Sequence, residues 1–307
     1  TCRRRPNGMD RDVRAGLMPM PRRRPPAIEP VQRVIERIDR TAAEGVASDV
    51  VPSGFPSLDR ELGGGFRRED LVVLAGDVGS GKSSLALAMA VRAARAGSPV
   101  LFLSGEMTEE RLTERAVALE ARVAVDDLRN GRLTDEARAA VGAAALTLRG
   151  IPLAFRALLG HEFGEVEEAV AMVPAPQLVV VDALQHVAPP RPAVRAVDRV
   201  ALASRALKAL ALQRSVAVLA LTDLPGLKAG RPDPRPVLDD LPGRTAVKQD
   251  ADLVLGLYRE EMYRPDSGVE GAAELLVRKN RNGPTGFVDL YFYMRWLRFE
   301  DMLDPEP

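Results

Sequence analysis

Cysteine and histidine are the scarce residues of this 307-residue chain. The single cysteine, Cys2, lies at the very start, which excludes an intramolecular disulfide and a cysteine-based metal cluster. Only His161 and His186 remain as imidazole ligands, so a zinc centre is not expected, and these two and the lone Trp296 read as packing or surface residues. Charge of one sign is lacking too: 43 basic and 43 acidic side chains cancel, so no bulk field gathers nucleic acid or a membrane surface, and any such partner must meet a local patch. No uncharged apolar run approaches the roughly 18 residues that span a bilayer, and no secretory pattern opens the sequence. No membrane is expected, and the expected compartment is the cytoplasm. What is present is ordinary for a soluble globular protein, 46% hydrophobic and 28% charged residues. Lysine is sparse beside arginine, which singles out Lys82 and Lys279.

Residues 1–30 carry Arg3, Arg4, Arg5, Arg22, Arg23 and Arg24 among repeated prolines. Such a segment buries too little apolar surface to fold alone, and it reads either as a basic arm for nucleic-acid phosphates or as a solvated tail. Threonine at position 1 is not a natural start, which points to Met9, Met18 or Met20 as the beginning. In VQRVIERIDRTAAEG, residues 31–45, the apolar Val31, Val34, Ile35 and Ile38 fall on one helical stripe, with Gly45 as the stop. This amphipathic linker helix needs an apolar surface, either on its own domain or on a neighbouring subunit.

From residue 50 strands and helices alternate. The apolar runs LVVLA (71–75), PVLFLS (99–104), IPLAF (151–155), QLVVVD (177–182) and VAVLAL (216–221) suit strands buried on both faces. Helical segments at 83–96, 108–120, 134–148, 162–172 and 198–213 separate them. The pattern implies an α/β fold, a mostly parallel twisted sheet with helices on both faces. ADLVLGLYR, AAELLVRKN and GFVDLYFYM, joined by turns at 265–268 and 282–286, extend that sheet with antiparallel strands at the C-terminal edge. One compact domain over 50–303 is expected.

Gly76-Asp77-Val78-Gly79-Ser80-Gly81-Lys82-Ser83 fits the phosphate-binding pattern G-x-x-x-x-G-K-[ST], with a strand immediately before it and a helix opening at Lys82 and continuing through Ser84. Glycines let successive amides curl round an anion, and the helix turns its positive end towards it. Lys82 is expected on the outer phosphates and the Ser83 hydroxyl on Mg²⁺. Asp182, closing QLVVVD, emerges at the same carboxyl edge as the second metal acid. Glu106, in FLSGEM after another strand, is the candidate general base for water; the alternative gives that turn only a capping role, through Thr108.

VPSGFPSLDRELGGGF, the phosphate loop, FLSGEMTEERLTER, LRNGRLTDE, LVVVDALQHV, KQDADLVLGLYREE and VRKNRNGPTG together resemble the C-terminal motor domain of DnaB-type replicative helicases, from about residue 30 to 303. The first of these is shared with the wider RecA-like group. The resemblance implies a RecA-like fold, ATP and Mg²⁺ as cofactors, a homo-oligomeric ring with a hexamer as the expected form, and ATP-driven movement on single-stranded DNA in replication. In K-x-R-N-G it implies that Lys279 and Arg281 reach the ATP of the neighbouring subunit, where a guanidinium arriving in trans is worth several kcal/mol; on spacing alone they equally suit a solvated hairpin edge. It also favours docking of the 31–45 helix on the adjacent subunit.

Departures from the family pattern are specific. Asp223, in LALTDLPG, stands where the family carries a glutamine that senses nucleotide. The channel loop expected within 239–249 reads DDLPGRTAVKQ, where Pro242 removes an amide donor and Gly243, Arg244 and Lys248 remain as DNA contacts. Residues 1–30 hold no counterpart of the family's helical collar domain, so the resemblance is to a motor fragment or a single-domain relative. Two further readings stand beside the helicase: an oligomeric RecA-like ATPase of repair or regulation without strand separation, and a nucleotide-binding assembly module that hydrolyses little.

Overall fold

A computed structural model of the chain describes residues 28–44, 49–189, 195–224, 231–243 and 245–302. Two units are distinguished, residues 1–45 and 46–307. In the first, the basic tail up to residue 27 and the stop at Gly45 lie outside the described residues. Its described part is a single helix, α1 (Ile28–Glu44), which begins at Ile28 rather than Val31. Val31, Val34, Ile35 and Ile38 are all exposed along it, an apolar stripe open to solvent.

In the second unit, β1 (Val50–Val51) pairs antiparallel with β2 (Phe66–Arg67) around the short α2 (Pro56–Glu61). The strand–helix alternation then follows: β3 (Leu71–Gly76), α3 (Lys82–Arg95), β4 (Val100–Ser104), α4 (Glu109–Ala121), α5 (Val125–Arg129), α6 (Asp135–Gly150), β5 (Leu153–Ala157), α7 (Phe163–Met172), β6 (Leu178–Asp182), α8 (Ala196–Arg214) and β7 (Ala217–Asp223). After α9 (Ala246–Asp250) come β8 (Leu253–Arg259), β9 (Ala272–Asn280), β10 (Gly286–Tyr293) and β11 (Arg298–Asp301). The order across the main sheet is β11-β10-β9-β8-β3-β7-β6-β4-β5. The strands from β8 to β5 are parallel, while β9, β10 and β11 run antiparallel.

The unbroken apolar runs have their cause in two cores. Val72 and Leu74 of β3 and Phe102 of β4 face Leu85 and Met89 of α3 on one side. Leu71, Val73 and Leu103 face the other, with Val166 of α7 and Leu207 of α8. Side chains alternate across a strand, so a strand covered on both faces has no polar position to offer. The antiparallel edge differs: along β10, Val288, Leu290 and Phe292 are buried while Phe287, Asp289 and Tyr293 are exposed. The expected strand at 151–155 lies two residues later, because Pro152 has no N–H for the ladder and contributes only its carbonyl, accepting from Val100 at 2.8 Å. Among the described residues no helix is long and apolar enough to cross a membrane.

Candidate active site

The carboxyl ends of β3, β4, β6 and β7 gather at one edge of the sheet, and the turns leaving them build the site. Gly76 ends β3, Asp77 to Gly81 form the loop, and Lys82, Ser83 and Ser84 open α3. Gly81 sits at φ +100°, and a Cβ there would meet the Phe299 ring at 3.0 Å, so the turn requires glycine on both counts. No side chain caps α3 and its first turn carries no acid, leaving its leading amides to an external acceptor.

Lys82 is buried, and its Nζ donates to the carbonyls of Gly76 (3.1 Å) and Asp77 (2.8 Å) and pairs with Asp223 Oδ1 at 2.7 Å. Asp77 itself accepts from Val78 N at 2.8 Å and from the Tyr263 hydroxyl at 3.2 Å. Behind the loop, Arg259 from the end of β8 is buried, lies over the Phe292 ring at 4.4 Å, and directs Nη1 at the carbonyls of Gly79 and Ser80. Asp182, at the end of β6, is 2% exposed. Burial pushes its pKa up to about 6, against the lowering effect of the Ser83 hydroxyl bonded to it, with the charge of Glu106 adding to the rise. Its Oδ2, like Ser80 Oγ, is buried with no hydrogen-bond partner among the described residues. Glu106 follows β4 on a turn whose amides at 106 and 107 donate to Ser104 Oγ at 3.2 and 3.0 Å, and its side chain is 46% exposed.

These groups surround one cavity of about 380 Å³, lined by Gly79, Lys82, Ser83, Ser84, Glu106, Asp182 and Asp223 among others. The phosphate loop, both predicted acids and Asp223 are therefore brought together. The exposed Val78 lies at the rim. Several functional groups were not anticipated. Arg115, on α4, lines the cavity beside Asp182 and Glu106, its pKa lowered by burial in spite of their charges. Arg259 lies inside the stretch KQDADLVLGLYREE, but nothing in its spacing points back to a loop about 180 residues earlier. His186, expected as a packing or surface residue, also places its Nε2 3.0 Å from Glu106 Oε1. Trp296 does pack, stacked on Tyr293 at 5.1 Å between ring centroids.

Lys279 and Arg281 are placed elsewhere. Lys279 lies at the end of β9 and Arg281 just beyond it; the last residues of β9 pair with the start of β8, and β8 runs parallel to β3. They therefore sit at the opposite edge of the sheet from the phosphate loop, about 20 Å away over the six residues of β3. Lys279 Nζ donates to the carbonyls of Lys248 (2.6 Å) and Ala251 (2.5 Å), and its pKa is lowered by burial and then by Arg281. Arg281 pairs with Asp252 Oδ1 at 2.8 Å and donates to Gln249 O at 2.6 Å, while remaining half exposed. Within one chain neither can reach that chain's own cavity. Of the residues expected to meet DNA, Arg244 lies outside the described residues, Gly243 is buried against α8, and Lys248 is paired with Asp239 at 2.6 Å.

Residues 50–301 match the family model of the DnaB-like helicase C terminal domain. The chain is 30% identical over 283 residues to the replicative DNA helicase DnaB of Buchnera aphidicola subsp. Acyrthosiphon pisum, covering 87% of this chain and 59% of that protein. It thus spans about three fifths of the length of the curated relatives it matches. Among solved structures, one described as an ATPase domain superposes with a TM-score of 0.80 at 25% identity, covering 90% of this chain and 98% of that one. A DnaB-like replicative helicase, described with its interactions with primase, gives 0.79 at 25% identity and covers 91% and 68%.

Proposed function

The chain belongs to the DnaB-like helicase C-terminal domain family, and from that premise we propose that it is the ATP-hydrolysing motor of a cytoplasmic homo-hexameric ring that moves along single-stranded DNA in replication. The observation that carries this reading is the convergence of Lys82, Ser83, Asp182 and Glu106 on one cavity at the head of an uncapped helix.

The residues present suit Mg-ATP. Asp182 Oδ2 and Ser80 Oγ are buried and unpartnered among the described residues, and hydroxyl and carboxylate oxygens are the donors a hard divalent cation takes. Ser83 and Asp182 would hold the Mg²⁺, and the amides from Gly79 to Ser83 would cradle the phosphates. Bound there, Mg-ATP supplies a phosphoryl group whose spreading charge the metal neutralises. Lys82 exchanges the Asp223 carboxylate for phosphate oxygen. A carboxylate oxygen of Glu106 orients the attacking water and takes its proton. Lys279 and Arg281, at the far edge, act on the site of the adjacent subunit, so hydrolysis requires assembly through a head-to-tail interface. On this reading α1 lays its exposed stripe of Val31, Val34, Ile35 and Ile38 on the next subunit.

An oligomeric ATPase without strand separation is favoured by two observations, Asp223 in the sensing position and the pairing of Lys248 with Asp239. ATP turnover measured with and without single-stranded DNA, beside unwinding of a forked duplex, separates the readings. The helicase motor predicts turnover stimulated by DNA and loss of the duplex; turnover indifferent to DNA would refute it.

A further inference from the structure

Both histidines of the chain stand side by side next to Glu106, their rings 5.8 Å apart. His186 closes the single 3-10 turn Leu184–His186, which follows Asp182 after one residue, and its amide donates to Ala183 O at 2.9 Å. On the other side, Gly105 N donates to Asp182 O at 2.7 Å. A Cβ on Gly105 would come within 2.7 Å of His186 Cβ and 3.2 Å of His161 Nδ1, so the residue before Glu106 is pressed against both histidines. The main chain under Glu106 is therefore fixed by β6, by the Ser104 hydroxyl and by this packing.

The side chain is a separate matter. Glu106 has several rotatable bonds and is 46% exposed, so a fixed backbone does not aim its carboxylate. His186 Nε2 lies 3.0 Å from Oε1. With the carboxylate oxygen as acceptor, this bond takes the His186 tautomer that carries its hydrogen on Nε2. One oxygen is held and the other is left for water. His186 is not among the residues lining the cavity, so it acts on the carboxylate from behind. The neighbouring Gln185 donates to Asp223 Oδ2 at 2.8 Å, and Asp223 Oδ1 holds Lys82. The same three-residue turn thus grips the base and the anionic partner of the phosphate-loop lysine.

We infer that His186 is a positioning residue for the hydrolytic step, donating from Nε2 to Glu106 Oε1 so that the second carboxylate oxygen is aimed at the attacking water. This rests on the reading of Glu106 as the general base.

The test compares His186→Gln, which keeps an N–H donor at similar reach, with His186→Met, which has similar length and no donor. Glu106→Gln and the double variant Glu106→Gln/His186→Met complete the set. Turnover is measured at saturating Mg-ATP on single-stranded DNA, with binding of a non-hydrolysable ATP analogue and thermal melting alongside. The inference expects H186M to lower kcat by roughly tenfold or more, part of what a positioned base contributes, with KM and analogue binding changed less than about threefold. H186Q recovers most of the loss, and the double variant turns over no more slowly than E106Q. Equal turnover in H186Q and H186M, or a kcat in H186M at or above that of the unmodified chain, would overturn it. Normal turnover in E106Q would instead remove the base assignment itself, a result separable from the histidine comparison.

Discussion

Replacing Asp223 by Asn tests whether a built-in carboxylate competes with the nucleotide for Lys82. Asp223 Oδ1 lies 2.7 Å from Lys82 Nζ and its Oδ2 accepts from Gln185. An incoming terminal phosphate must share that ammonium and accept a second anion beside it. Two unit charges about 5 Å apart interact by about 0.8 kcal/mol at a dielectric of about 80 and about 3 kcal/mol at about 20. Asp223 is 39% exposed, so screening places the repulsion near the lower end, about 1 kcal/mol or roughly fivefold in affinity. Asparagine keeps the shape and a polar group facing Gln185, and Lys82 retains its two carbonyl acceptors, so the fold is not put at risk. Equilibrium titration with a fluorescent, non-hydrolysable ATP analogue in Mg²⁺ should show Asp223→Asn binding about fivefold tighter. The gain should be smaller for the matching ADP analogue and should shrink as salt rises. Triphosphate binding that is unchanged or weaker in Asp223→Asn would show that the carboxylate does not oppose the nucleotide.

Lys82→Ala removes the buried ammonium on which the loop closes, and no saturable binding of the same analogue is expected. Arg281→Ala should leave binding within about twofold and suppress turnover by about a hundredfold or more, because a cation in trans acts on the transition state; unchanged turnover would place Arg281 on a structural hairpin edge. Asp182→Asn should abolish Mg²⁺-dependent binding yet raise the melting temperature of the chain in EDTA without nucleotide. The folded pKa of Asp182, about 6, lies above the ordinary 3.8, so folding favours its protonated form. The stability this group contributes is present below about pH 4 and lost as pH rises through about 6, at a cost on the order of 2 to 3 kcal/mol by about pH 7. The neutral amide escapes that cost, and the advantage over the unmodified chain should vanish at about pH 4.

The phosphate loop was legible because its chemistry is local: glycine spacing, Lys82, Ser83 and the flanking apolar runs all lie within one strand–turn–helix. Asp182 and Glu106 were legible for a related reason. Each closes or follows an apolar strand, and parallel strands deliver their carboxyl ends to one edge. Arg259, Arg115 and His186 were not, because their roles are set by contacts between residues far apart in the chain. Arg259 reaches Gly79 and Ser80 only once β8 is laid beside β3. His186 read only as a packing or surface residue because no periodicity marks a side chain that leaves a 3-10 turn to meet the loop of a neighbouring strand. The first residues of β5 were misplaced for a smaller reason, the missing amide of Pro152.

The pairings at the cavity would give a reason for the proposed dependence of activity on assembly. As folded, Lys82 is neutralised by Asp223, Asp182 is pushed towards its protonated form, and Glu106 is held by His186. On the proposed reading these residues would exchange partners more than gain them: Asp182 would give its carboxylate to Mg²⁺, and Lys82 would leave Asp223 for phosphate oxygen. Arg259 is committed to the loop carbonyls and Glu261, and Arg115 already faces the carboxylates of Asp182 and Glu106, so neither is a spare positive charge for the terminal phosphate. Arg281 carries such charge while staying half exposed, yet it stands at the opposite edge of the sheet. On the proposed reading, a guanidinium kept on the far side from its own phosphate loop would serve the site of a neighbour, and each hydrolysis would then be coupled to the geometry of the ring.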